Sequence, residues 1–475
     1  MDERADIKRA EMKVLAKAYE RNPELFAQRT FVEDADTLSE FGIHIPNKET
    51  CPVALLKLWP EDFIVEEVSG GKACDVTSEP SEPKGEGPTV YATLIKCGIS
   101  TIEAVDDIAA KLGLRVENIG YAGIKDKDAL TAQRISIRGV SVEQAAALSG
   151  SHFILADIEL GQGAVAKGGL TGNRFTIYMR PEASFFTPEN LTVFDKKVEA
   201  VERFGFYNFY YLQRFGTPRL HNFAWALMIL KAEYEQAVHD ILTFEGEREL
   251  PYFINVRREL GKVWGRWDEM LKLLEPLPIV FRNELRIVRH LAAHPGDYRG
   301  ALQAIPEQVT LWMYALSSLL FNQCISNYLL KGKEPPDELP LIMSRERRDH
   351  EPYRDMLEGL GVYPLSFEAL KPFPQVQLKN RMTPTRDKAV VRKAEVVDDG
   401  VVLQFELGKG QYATTFLAHL FTLTAGALPQ DISRARIDTK AHIGEASLAR
   451  VLERFAPVIQ PKRENLFEQM LEKGE

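Results

Sequence analysis

Residues 119–138 constrain the fold more tightly than any other stretch. Ile119–Gly123 is short, apolar and bounded by glycine, the pattern of a strand end running into a turn. Arg134-Ile135-Ser136-Ile137-Arg138 alternates polar and apolar residues, the pattern of a half-buried strand. Two extended segments joined by a turn satisfy both, and the turn holds Lys125-Asp126-Lys127-Asp128. A carboxylate at that place is held by rigid elements yet can face a cleft. The two flanking ammonium groups stabilise its ionised form, which has the lone pair that a nucleophile or base needs. A solvated hairpin tip with alternating charges fits the same four residues, so the tetrapeptide alone offers Asp126 as a candidate without giving it a role.

At 475 residues, 45% apolar and 27% charged, the chain has room for two or three domains and an ordinary globular composition. No apolar run approaches the roughly 18–20 residues that span a bilayer, so no membrane association is expected. The opening MDERADIKRAEMKV lacks the apolar core of a signal peptide. Cys51, Cys74, Cys97 and Cys324 are scattered without a C-x-x-C pair. That suits a reducing cytoplasm and indicates neither zinc nor a disulfide framework. The net charge of −9 runs against the basic surface usual in nucleic-acid binders. Binding follows the local field, however, so such a partner needs only a local patch. Lys379–Lys393 is the clearest candidate, with six Lys or Arg against one Asp. A solvated loop accounts for it equally well, and the sequence does not choose among Arg381, Arg386 and Arg392.

The remaining elements follow from periodicity and capping. A helix is expected over about Asp2–Arg21, ending before Asn22-Pro23. Residues 52–68 read as strand, turn and strand, with Phe63 and Val65 on one face and Ile64 and Glu66 on the other. Residues 69–89 form a Gly/Ser/Pro/Lys-rich loop, and Val90–Lys96 a strand. Ser100 and Glu103 make a capping box for a helix that Gly113 closes. A short helix is expected over Ser141–Leu148, a strand within Gly169–Met179, and a helix from Thr187-Pro188 to Gly205. Asn208–Gly216 mixes aromatics that can stack on unpaired bases with Arg214, which can hold a phosphate; an aromatic run is more commonly core. From Thr217 to Phe373 the chain is mainly helical, with helices expected over Asn222–Val238, Glu259–Glu275 and Leu311–Leu330. His290 and His294 share one helix face, but no acidic third ligand accompanies them and no metal site is expected. A last helix is expected near Ile443–Phe455.

Ala122-Gly123-x-Lys125-Asp126-Lys127-x-Ala129-x-Thr131-x-Gln133 resembles the signature of the TruD family of RNA pseudouridine synthases, in which the aspartate after A-G-x-K is the catalytic nucleophile. Further blocks appear in the family's order. Asp62–Val68 resembles D-F-x-V-x-E and points to Glu67; Lys96–Thr101 resembles K-x-G-x-N-T with Ser for Asn; Gly172, Asn173 and Phe175 match G-N-x-F. Gln213-Arg214-Phe215-Gly216 matches Q-R-F-G, and Leu319–Gln323 resembles an L-F-N helix block. Phe405–Thr415 resembles F-x-L-x-x-G-S-[YF]-A-T, whose aromatic packs on the target base and is here Tyr412. Tyr207 replaces a proline, Tyr211 a glycine and Ala418 an arginine of the family pattern.

The resemblance implies an α+β protein with a mixed, largely antiparallel sheet core and an inserted α-rich domain. The parts would be an N-terminal helical extension (1–50), the catalytic core (51–216 and 375–475) and the insertion (217–374). It implies isomerisation of a uridine in transfer RNA, at position 13, with Asp126 as nucleophile. Glu67, Lys125, Asn173, Phe175, Gln213, Arg214, Phe215 and Tyr412 would bind substrate. No metal, nucleotide or redox cofactor is required; the partner is RNA, and the protein is expected to be a cytoplasmic monomer. Two other classes stay open: an RNA-binding protein of this fold without catalysis, and a carboxylate-dependent hydrolase using Glu67 or Asp128 as its acid.

Overall fold

The computed structural model describes residues 3–463 apart from 80–82, 344, 377 and 380, together with 465, 467 and 468. Its central feature is a mixed sheet of 13 strands. The longer ones are β1 (Thr30–Val32), β2 (Val53–Leu56), β3 (Phe63–Ser69), β4 (Thr89–Cys97), β5 (Ile119–Tyr121), β6 (Leu130–Arg138), β7 (Phe153–Gly161), β8 (Gly172–Pro181), β9 (Val390–Val397), β10 (Gly400–Gly408) and β11 (Thr422–Gly426). The main path runs β1-β11-β2-β8-β3-β6-β4-β7. β10 lies against β8 and carries β9, and β5 pairs with β6. β2 with β11 and β3 with β6 are parallel pairs; the other pairings among these strands are antiparallel.

The alternation read in β3 separates two cores. Phe63 and Val65 face Phe175, Ile177 and Phe405 in the largest apolar cluster. Ile64 faces Ile95, Leu130 and Ala132, covered by Leu448 and Phe455. Both faces of the central strands are therefore dry. On the second face Glu66 receives a 2.7 Å hydrogen bond from Lys440, and both side chains are 1% exposed.

The expected N-terminal helix spans Glu3–Arg21, while Asp2 lies outside the described residues. Thr30–Val32, in a region read only as helical, joins the sheet. The 69–89 loop contributes two short strands, Lys72–Ala73 and Lys84–Gly85. Two helices read as continuous are broken. Asn222–Leu230 and Tyr234–Thr243 meet at Ala232, whose φ of 58° turns the chain; Pro251–Lys262 and Trp267–Leu274 are parted at Gly265. The long helix starts earlier than read, at Pro306, because proline fits a first helical position. The last expected helix is confined to Ala449–Phe455. Among the described residues no helix is long and apolar enough to cross a membrane.

Candidate active site

Asp126 lies in the turn between β5 and β6, its side chain half exposed, at 53%. The turn is held by the side chains of Lys96 and Gln133, on the sheet, and of Thr101, in the helix that follows β4. Lys96 Nζ donates to the carbonyls of Asp126 (2.6 Å), Ile99 (2.9 Å) and Lys125 (3.4 Å). Gln133 Nε2 donates to Gly123 O at 2.9 Å, and Gln133 Oε1 accepts from Thr101 Oγ1 at 2.8 Å. Thr101 Oγ1 in turn accepts from Lys125 N at 2.9 Å. Burial pushes the Lys96 ammonium down to about 8, with the negative charge of Asp126 opposing. Lys96 and Gln133 reach the same loop because they are on adjacent strands, Lys96 opposite Thr131 and Gln133 opposite Leu94. A loop tied at three carbonyls and one amide carries its aspartate in one place before substrate arrives.

The flanking lysines are not the partners of Asp126, contrary to the sequence reading. Lys125 Nζ turns inward to Glu67 Oε2 at 2.7 Å, with side chains 4% and 1% exposed. Lys127 pairs with Glu103 at 3.2 Å. The ammonium at Asp126 comes from Lys57, 3.2 Å from Oδ2. Lys57 follows β2 with a φ of 65°, a costly conformation for a residue with a Cβ. Its Nζ also lies 3.8 Å from the centre of the Phe63 ring. Nothing local in the sequence marks Lys57; a strained non-glycine residue beside the Pro60–Asp62 turn becomes visible only with the backbone.

Glu67 is opposite Asn173 on β8, and Asn173 is opposite Leu407 on β10. Asn173 Oδ1 is buried with no hydrogen-bond partner among the described residues. Glu67 is spent on Lys125 and on the backbone N–H of Arg134 at 3.3 Å, so a contact with substrate is closed to it as placed. Phe175 lies between Phe63 and Phe405, with centroids 5.9 and 5.2 Å away, and is 7% exposed.

β10 ends at Gly408, opposite Gly172, so Tyr412 projects from the same end of the sheet as Asn173 and Glu67. Tyr412 is 42% exposed and is therefore not a core residue. Its hydroxyl accepts from Arg214 Nη2 at 3.1 Å, and the Arg214 guanidinium lies 4.9 Å from the Tyr210 ring centre. Gln213 is exposed beside them, whereas Phe215 is fully buried against Phe41 and Phe223. Phe215 therefore has no surface to offer a ligand and anchors the turn that presents Gln213 and Arg214. Of the three arginines left open by the sequence, Arg386 pairs with Glu334 and Arg392 with Glu406, each at 2.9 Å. Arg381 instead donates to the Tyr210 hydroxyl at 3.0 Å, beside Arg214 and Tyr412.

The departures from the family pattern are accommodated. Tyr211 is buried, and Tyr207 stacks under Arg386 at 4.5 Å. The buried carbonyl of Ala418 accepts from Lys48 Nζ at 2.7 Å. His290 Nε2 is 2.9 Å from Asp297 Oδ2, and among the described residues no group of three or more His, Cys, Asp or Glu is arranged for a metal.

The family model for tRNA pseudouridine synthase D (TruD) matches residues 48–339. A probable tRNA pseudouridine synthase D of Methanopyrus kandleri is 32% identical over 354 residues, covering 71% of this chain and 86% of that protein. The tRNA pseudouridine synthase D of Aquifex aeolicus is 26% identical over 403 residues, covering 77% and 97%. The crystal structure of a putative tRNA pseudouridine synthase D from Methanosarcina mazei superposes with a TM-score of 0.66 at 22% identity, over 81% of this chain and 97% of that one, a likeness of fold. The matched span contains the β5–β6 turn with its lysine clamp, and the chain belongs to the tRNA pseudouridine synthase D family.

Proposed function

We propose that this protein isomerises a uridine of transfer RNA, position 13, to pseudouridine, with Asp126 as nucleophile. The observation that carries the reading is an exposed carboxylate, paired with Lys57, on a loop held rigid by Lys96, Gln133 and Thr101. The uridine must leave its stack before its glycosidic bond can be reached. Asp126 then attacks the base or the sugar, the N1–C1′ bond breaks, the uracil turns, its C5 bonds to C1′, the bond to Asp126 is released and N1 gains a proton. The proton leaves C5, with Asp126 itself positioned to take it, so the atoms of uridine are only rearranged. Lys57 orients the carboxylate through their 3.2 Å ion pair. Tyr412 packs on the extruded base, Arg214 fixes Tyr412, and Arg381 and Gln213 meet the RNA backbone. Asn173 supplies an acceptor that a base or ribose can satisfy. Glu67, Lys125, Phe175 and Phe215 act by holding these groups in place.

The hydrolase reading loses Glu67 as its acid, because Glu67 is paired with Lys125 in a dry site, and keeps only Asp128. We also propose a cytoplasmic monomer, divided into an extension (1–50), a core (51–216 and 375–475) and an α-rich insertion (217–374). Tritium release from C5-labelled uridine in transfer RNA tests the reading. Wild type should release it and Asp126→Asn should not. A rate for Asp126→Asn within about tenfold of wild type, a loss of only ~1.4 kcal/mol, would sink the assignment.

A further inference from the structure

Beside Tyr412 and Arg214 the chain encloses a cavity of about 650 Å³ that the proposed chemistry leaves unused. That is within the roughly 300–1,000 Å³ of pockets that enclose small molecules. Its mouth is formed by Gln213, Arg214 and Tyr412, and its floor by Trp225 and Trp312, whose rings meet edge to face at 5.1 Å. Three half-buried amides, Asn222, Asn283 and Gln308, line the walls, and their side chains make no hydrogen bond with the described residues. Such amides keep their donors and acceptors free for a ligand that displaces their water. Gly216 keeps one of them in place: its φ is +87°, and a Cβ there would lie 2.3 Å from the amide nitrogen of Asn222.

The charges of the inner wall cancel. Arg257 bonds Glu249 at 2.9 Å and Glu284 at 3.2 Å, and Arg219 bonds Glu284 at 3.3 Å. Two cations face two carboxylates, so a phosphate would find no surplus positive charge inside. Positive charge sits at the mouth instead, on Arg214, with Arg381 hydrogen-bonded to the lining residue Tyr210. A neutral, flat ligand rich in edge donors and acceptors fits this distribution, with any attached phosphate left outside. A nucleobase has that chemistry, since aromatic faces stack on it and amides read its edge.

Resting on the reading of the protein as a synthase, we infer that this cavity binds a second unpaired base of the same RNA, a near neighbour of the target uridine, with Asn283 and Gln308 reading its edge. The shared wall of Tyr412 and Arg214 places the two bases on one strand, and the cavity is the specificity pocket that chooses the sequence or loop around the target.

The test scans the RNA. Substrates carrying an abasic residue at each of the three positions on either side of the target are titrated against the full-length Asp126→Asn protein, so that affinity is read without turnover. One abasic position should weaken binding by roughly 5- to 150-fold, the scale of base–aromatic stacking. That penalty should shrink by roughly 2- to 12-fold in Gln308→Ala and in Asn283→Ala, the scale of one lost hydrogen bond, because the base keeps its stacking and loses an edge contact. Gln308→Glu keeps the volume if the alanine variant misfolds, and it should show the same loss of discrimination. If no abasic position is penalised, or if the penalty is the same size in the variants, the inference is overturned. Failure of the synthase reading is separate: wild type would then release no tritium from intact transfer RNA.

Discussion

Glu67→Gln separates a scaffolding role from a substrate contact. The Glu67 and Lys125 side chains are 1% and 4% exposed and 2.7 Å apart. Gln keeps the shape and can still accept from the Arg134 N–H, but the Lys125 ammonium is left in a dry site without a counter-charge. Breaking a buried pair in this way costs about 3–5 kcal/mol. With an unfolding entropy of about 2.1 cal/mol/K per residue, 475 residues lose about 1 °C of melting temperature per kcal/mol. A melt followed by circular dichroism should therefore drop by about 3–5 °C. The double variant Glu67→Gln/Lys125→Met leaves no charge unpaired in the dry site and should recover most of that loss. RNA affinity of Glu67→Gln should stay within about twofold, while the single-turnover rate falls because Lys125 adjoins Asp126. An unchanged melt together with weakened RNA binding would refute the argument and make Glu67 a ligand of the substrate.

Lys57→Met should shift the melt by less than about 1 °C, because the pair with Asp126 is partly exposed, yet lower the single-turnover rate at least about tenfold; Lys57→Arg should restore part of it. Tyr412→Ala should lower that rate about tenfold or more without a drop in the melt, and Tyr412→Phe, which loses only the Arg214 contact, should be mild; a large melting loss with normal rate would make it a packing residue. Arg381→Ala should weaken RNA binding and reduce the salt slope by about 0.7–0.9, whereas Arg392→Ala, already paired with Glu406, should do neither. His419 is buried, accepts from the Tyr207 N–H at 3.1 Å and is held neutral by burial, its pKa lowered to about 4. The unfolded chain binds its proton near pH 6.5, so stability is full above 6.5 and falls as pH drops towards 4, by about 3 kcal/mol. Melts of wild type and His419→Gln between pH 7 and 4 should converge by about 3 °C, and parallel curves would exclude this source.

The Asp126 turn was legible because its shape and chemistry are written in consecutive residues. Lys57 was not, since it reaches Asp126 only through the register of β2, β8, β3 and β6. The same register diverted Lys125 from Asp126 to Glu67. Glu67 was found as a position, but its burial and its pairing with Lys125 depend on the strands beside it and were not legible. The break at Ala232 was hidden because alanine favours helix and gives no sign of a positive φ. Arg381 stood out from Arg386 and Arg392 only once the carboxylates opposite the other two were in view.

The Glu66–Lys440 pair bears on when this protein becomes competent. Glu66 adjoins Glu67 in β3, and its buried counter-charge lies 374 residues later in the chain. At about 5–20 residues per second of synthesis, Lys440 is made about 20–75 s after Glu66. Through that interval β3 cannot settle without stranding a carboxylate in an apolar layer. The nascent chain thus carries Asp126 long before it carries a finished site, and β3 settles only once Lys440 has been made.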